Sequence, residues 1–138
     1  MPLKRTLIAI TLLMIGSVLT GCTAPRAHRF GSVIGLKKEK LAEYRQLHAK
    51  VWPDVLALME ESDIQNYSIY LTRFDDGQHY LFSYLEYTGL DAAADFGKLA
   101  EEPVIKKWWA LTDPMQTPLK SRAEGEHWKN MDEVFHMK

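Results

Sequence analysis

The chain changes its hydrophobic rhythm several times, and each change marks an element. Residues 29–36, RFGSVIGL, form a short β-rich run with Phe30, Val33, Ile34 and Leu36, which predicts a first strand. KKEKLAEYRQLHAKVW then changes period. Leu41, Tyr44, Leu47, His48, Val51 and Trp52 fall at i, i+3, i+4 and i+7, the pattern of a helix with one mixed apolar face. Pro53 has no N–H to donate, so it kinks this helix or opens a second as its first residue, and DVLALMEES carries the pattern to about Ser62. NYSIYLTRF, 66–74, alternates: Tyr67, Ile69 and Leu71 point one way, Ser68, Tyr70 and Thr72 the other. Asp76-Gly77 reads as a two-residue hairpin turn, returning through HYLFSYLEYT, 79–88. A helix capped by Asp91 follows; Pro103 ends it or starts the next turn, and VIKKWWALTD continues as helix. PMQTPLKSRAEGEHWKN reads as a loop and MDEVFHM as a final strand.

The predicted order, βαββαβ, is that of an α+β, ferredoxin-like fold: a four-stranded antiparallel sheet with helices on one face. The second face needs cover if it is apolar or aromatic. Another copy of the chain supplies it most simply, so the expectation is a homodimer joined sheet to sheet, a dimeric α/β barrel.

The first residues are of a different kind. MPLKR is short and basic, and TLIAITLLMIGSVLT is uncharged and mostly apolar, the layout of a secretory signal. A spanning anchor is the alternative, because Thr6 to Pro25 is long enough to cross a bilayer. LTGC follows, with small residues before Cys22, the only cysteine of the chain. This stretch resembles a bacterial lipoprotein signal, cleaved before Cys22 with lipid on its thiol. The expected organisation is a signal peptide at 1–21, a lipidated tether at 22–28 and a folded domain at 29–138. The expected location is outside the cytoplasm, membrane-anchored through the lipid, facing the periplasm or the cell surface.

Of the 138 residues, 46% are apolar and 25% charged, enough for one domain with its own core. Without residues 1–21 the chain keeps 15 basic and 18 acidic residues. No basic stripe alternates with aromatics, so a nucleic-acid partner is not expected. There is no Gly-rich phosphate loop and no Gly-x-Ser-x-Gly elbow, and the five histidines (28, 48, 79, 127 and 136) lack zinc-ligand spacing. No metal site is expected.

What remains is a set of aromatic residues with one imidazole among them. Tyr44, His48 and Trp52 stand four residues apart, hence on one helix face. Core packing is the ordinary fate of such residues. Two observations argue for more. Trp108 and Trp109 point about 100° apart on a helix, so they cannot both sit centrally in one core. His48 is a proton carrier between aromatic walls, and such walls with a few aimed polar groups suit a small molecule. The C–H face of a sugar packs well on aromatic rings.

At this point YRQLHAKVWP, NYSIYL and WWALTDPM, with the terminal EVFHM, resemble the L-rhamnose mutarotase family from about residue 29 to 137. The resemblance implies that His48 is the proton donor and that Tyr44, Tyr67, Trp108 and Trp109 bind substrate. It also implies a monosaccharide substrate, a homodimer of ferredoxin-like protomers and no cofactor. The activity implied is interconversion of the α and β anomers of L-rhamnose or a related 6-deoxy sugar. A sugar-binding lipoprotein without catalysis is the alternative reading. The general base stays open among Tyr44, a second protonation state of His48 and a water. Relatives of the family are cytoplasmic and lack a lipoprotein signal, and here this chain departs from them.

Overall fold

The structure, a computed structural model, describes residues 27–137. Its first strand, β1 (His28–Leu36), leads through one 3-10 turn at Lys38–Lys40 into α1 (Leu41–His48). Trp52 is extended, and Pro53 opens α2 (Pro53–Glu61) as a first-turn residue, where its missing N–H costs nothing. The helical run therefore breaks into two helices, with His48 as the last residue of the first.

A hairpin of β2 (Ile64–Arg73) and β3 (His79–Tyr87) follows. The turn holds three residues rather than two. Gly77 N–H donates to the Phe74 carbonyl, Phe74 N–H donates to Gln78, and Gly77 adopts φ 78°. The glycine is thus used for its left-handed backbone just after the turn, a G1-type arrangement. Two helices come next, α3 (Ala92–Glu101) and α4 (Pro103–Thr112). The Asp91 side chain caps α3 by accepting from Ala94 N–H at 3.0 Å, and Pro103 opens α4.

β1 lies at the centre, paired antiparallel to β3 from His28–Tyr87 to Leu36–His79. The other side of β1 departs from expectation. Two short strands share it: β4 (Gln116–Thr117) beside Gly35 and Leu36, and β5 (Lys129–Met131) beside residues 31–33. The segment read as one loop before a final strand at 131–137 is thus a strand, a loop at 118–128 and a second strand. Residues 132–137 form no strand. Val134, Phe135 and Met137 are exposed there, and alternation of apolar side chains alone does not supply a ladder partner. Gly35 permits the β1–β4 pairing, because a Cβ there would lie 2.8 Å from the Thr117 carbonyl oxygen.

One face of the sheet carries the helices. Ile34, Leu36 and Leu81 of the sheet pack with Tyr44 and Met115 in one buried cluster. Val55, Leu99, Ile105 and Trp108 make a second, among α2, α3 and α4. Fully buried side chains such as Ile34, Leu81, Val55 and Ile105 contribute about 1.5–3 kcal/mol each. Leu47 packs against both clusters. Among the described residues no helix lies over the opposite face, which presents Tyr70, Tyr80, Phe82 and Tyr84. Tyr70 is 64% exposed, and Phe74 meets Tyr80 at a tilt and Phe82 edge-on.

Candidate active site

A cleft of about 790 Å³ opens between the helix-bearing sheet face and α1, α2 and α4. Its size is within the range of small-molecule sites. Tyr44, His48, Tyr67, Trp108 and Trp109 all line it, so every residue singled out for sugar chemistry is brought to one place.

The rings meet in sequence. Tyr44 and His48, one turn apart on α1, stack at 4.1 Å. His48 meets Trp108 edge-on at 5.3 Å, and Trp108 meets Trp52 in the same way at 5.3 Å. Tyr44 belongs to the first core cluster and Trp108 to the second, so His48 sits at the seam between them. Trp52 does not line the cleft; it backs Trp108. The adjacent tryptophans divide as helix geometry requires: Trp108 is buried, while Trp109 keeps 38% of its surface exposed.

His48 Nδ1 lies 3.0 Å from the Tyr44 carbonyl oxygen. A carbonyl only accepts, so Nδ1 carries the hydrogen and Nε2 of the neutral ring keeps its lone pair. Burial lowers the His48 pKa, and the bond to the Tyr44 carbonyl opposes that shift. Burial acts the other way on the phenols. It raises the pKa of Tyr44, with the Gln116 side chain pulling against it, and raises that of Tyr67. Tyr67 is 42% exposed as a residue, yet its hydroxyl end is desolvated. Both hydroxyls therefore stay protonated at neutral pH.

A bulge aims Tyr67. Between Gln65 and Ser68 the register of β2 against β3 slips, with Asn66 at φ 49°. Ile64 and Ile69 are an odd number apart, and only the extra residue lets both pack on the helix side. Glu86 holds this bulge, accepting from Gln65 at 2.9 Å and Asn66 at 2.7 Å.

The rest of the cleft went unread in the sequence. Ser32 and Ser83 join their hydroxyls at 2.6 Å on the sheet. Their positions on facing strands were a usable signal, since both put a hydroxyl in a row of apolar residues. Gln116, the first residue of β4, is buried and meets His127 Nε2 at 2.8 Å. Asp113 Oδ1 stands 3.6 Å from the same nitrogen. Burial raises the Asp113 pKa, with His127 opposing. No periodicity could place His127 or Trp128, which return to the cleft at the end of the 118–128 loop. Among the described residues, no three His, Cys, Asp or Glu side chains converge as a metal-ligand group.

A profile of L-rhamnose mutarotase matches residues 29–137. The chain belongs to the L-rhamnose mutarotase family. Individual mutarotases agree with this. The L-rhamnose mutarotase of Shouchella clausii is 29% identical over 109 residues, covering 79% of this chain and 97% of that protein. That of Rhizobium johnstonii is 34% identical over 102 residues, covering 70% of this chain and 83% of that protein. The crystal structure of an L-rhamnose mutarotase from Formosa agariphila superposes with a TM-score of 0.62 at 22% identity, over 80% of this chain and 99% of that one. This last likeness concerns the fold, a curled antiparallel sheet with four helices.

Family membership corrects the expected location. The reading of an exported, membrane-anchored lipoprotein rested on residues 1–21 and Cys22, which lie outside the described residues. The mutarotases of Shouchella clausii and Oceanobacillus iheyensis are each covered to 97%, so that stretch has next to no counterpart in them. Among the described residues no helix is long and apolar enough to cross a membrane. An apolar run and one cysteine make a pattern without a packed environment to test it, and the lipoprotein reading is withdrawn together with its membrane partner.

Proposed function

We propose that this enzyme, an aldose mutarotase, interconverts the α and β anomers of L-rhamnose or a related 6-deoxy sugar without a cofactor, using His48 to move the proton. The observation that carries the reading is the tethered imidazole: Nδ1 is held by the Tyr44 carbonyl, and the ring lines an aromatic cleft where no hydrogen bond among the described residues engages Nε2.

The chemistry needs little else. Ring opening removes the proton from the anomeric hydroxyl O1, forms the C1=O1 bond, breaks C1–O5 and protonates O5. A lowered pKa makes His48 an acceptor first. Nε2 takes the O1 proton, and the resulting imidazolium donates to O5. The proton-donor role then follows from the acceptor role, and the ring ends neutral as it began. The aldehyde turns about C1–C2 and closes on its other face by the reverse steps. Tyr44 and Tyr67, held as neutral phenols, donate hydrogen bonds to the oxygen that gains charge. Trp108 and Trp109 offer flat faces to the sugar's C–H bonds.

The proposed assembly is a homodimer in which the aromatic sheet faces cover one another. Saturation transfer between the α and β anomer resonances of L-rhamnose tests the activity. Faster exchange with the protein present is the expected result, and exchange at the uncatalysed rate would overturn it.

A further inference from the structure

We propose that Glu86 is a positioning residue that acts across the sheet: by gripping the Gln65 and Asn66 amides on the open face, it keeps Tyr67 turned into the cleft on the other. The kinetic part of this inference rests on the mutarotase reading above, in which Tyr67 donates to the sugar.

Consecutive side chains of a regular strand point to opposite faces of the sheet. Gln65 and Asn66 are neighbours, yet both donate to one oxygen, Glu86 Oε2, at 2.9 and 2.7 Å. The Asn66 backbone makes this possible. Its φ of 49° lies in the left-handed region, which asparagine tolerates better than most residues. The register records the same event. Gln65 pairs with Glu86 and Ser68 with Tyr84, so Asn66 and Tyr67 together oppose Leu85. Leu85 and Tyr67 both line the cleft. In a regular strand Tyr67 would share the face of Gln65, away from the cleft. The extra residue reverses that count. Holding Asn66 in the bulge and holding Tyr67 in the cleft are thus one condition. Glu86 is braced for the task, because its other oxygen, Oε1, accepts from the Tyr84 hydroxyl at 2.9 Å. Hydrogen bonds from Gln65, Asn66 and Tyr84 lower its pKa, so it stays a carboxylate, an acceptor only, at neutral pH.

The experiment uses the full chain with Tyr67 observed directly. The 13Cζ resonance of Tyr67, assigned by its loss in Tyr67→Phe, reports the surroundings of its hydroxyl whether or not sugar turns over. The HN–Hα coupling of Asn66 reports φ. Glu86→Met keeps the bulk of the side chain and removes both acceptors. In it the resonance should move toward that of a solvated tyrosine, and the coupling should rise toward that of an extended strand. Glu86→Gln should leave both near wild type, because its oxygen can face the two amides while its NH2 donates to the Tyr84 hydroxyl. Anomer exchange should follow: Glu86→Met lowers kcat/KM by about tenfold, the size of one aimed hydrogen bond, and Glu86→Gln keeps most of the activity. In a Tyr67→Ala background, adding Glu86→Met should cost less than about twofold, because no side chain remains to be aimed. Asn66→Asp provides a second route if Glu86→Met folds poorly. Aspartate tolerates the same backbone but sets a second carboxylate against Glu86. It should move the Tyr67 resonance by itself, and adding Glu86→Gln should return it, since donor and acceptor have then changed places.

A Tyr67 resonance and an Asn66 coupling that stay unmoved in folded Glu86→Met or Asn66→Asp overturn the proposal, as does a full Glu86→Met loss in the Tyr67→Ala background. A wild-type protein that leaves anomer exchange at its uncatalysed rate defeats the mutarotase reading instead, and the Tyr67 resonance still decides the role of Glu86.

Discussion

The two faces of the sheet are built by the same alternation and meet opposite fates. On the helix side the strands supply Ile34, Leu36 and Leu81 to a packed core, and then interrupt it with Ser32 and Ser83 joined at 2.6 Å. On the other side they supply Tyr70, Tyr80, Phe82 and Tyr84, which no helix among the described residues covers. The difference is instructive because it reverses the usual expectation. The covered face holds the paired serine hydroxyls and the cleft, while the other face sets a band of large aromatics beside Ser68, Thr72, Arg29 and Glu86. Polar groups are placed where rings and helices can fix their direction, since an unfixed buried donor is costly and an aimed one is useful. Aromatics are placed where a second surface can bury them.

The sharpest way to break this comparison is on the covered side. His48→Ala should lower kcat/KM for anomer exchange by roughly 10²–10⁴-fold, the usual size of one positioned acid–base group, with far-UV circular dichroism unchanged. Full activity in that variant would remove His48 from the mechanism. On the open face, Tyr70→Asp should leave the isolated protomer folded, because the residue is 64% exposed there. It should weaken self-association by about 30- to 300-fold in sedimentation equilibrium if that face is buried against a second copy. An unchanged association constant would free the face of that role. Tyr67→Phe, back in the cleft, should cost about tenfold in kcat/KM through one lost hydrogen bond, measured by the same exchange experiment.

The mildest effect concerns pH. Burial lowers the His48 pKa, so the neutral ring persists below the value of about 6.5 for a free imidazole. The acid limb of kcat/KM should therefore lie below that value, and a limb above it would contradict a desolvated His48. The same shift fixes the sign for stability. The unfolded chain binds the proton more readily, so the contribution of this group is fully present above about 6.5 and is lost as pH falls toward the folded-state pKa. In urea titrations across that window, wild type should lose stability as the pH falls while His48→Phe shows no such loss from this position.

The elements whose side chains repeat with a clear period could be located from sequence, and those that depend on a neighbour could not. The switch from period two to period 3.6 at residue 37, Pro53 as a helix opener and Asp91 as a cap are local facts, and each is found where the chain implied it. The five aromatic and imidazole residues converge because helix spacing and strand alternation carry them to the same side. The split fourth strand was hidden, since Gln116–Thr117 and Lys129–Met131 are too short to show a rhythm and exist only because β1 offers them a ladder. His127 was hidden for the same reason: its place depends on how an eleven-residue loop closes. The bulge at Asn66 was hidden too, because a single inserted residue leaves composition unchanged and alters only the register.

The division of that strand has a practical outcome for engineering. Residues 118–128 leave and rejoin the sheet at fixed moorings, much as an interchangeable cassette fits its slot, and they finish at His127 and Trp128 on the rim of the cleft. New loops of other lengths could be spliced between Thr117 and Lys129 to retune sugar preference while the hairpin, the helices and His48 stay untouched.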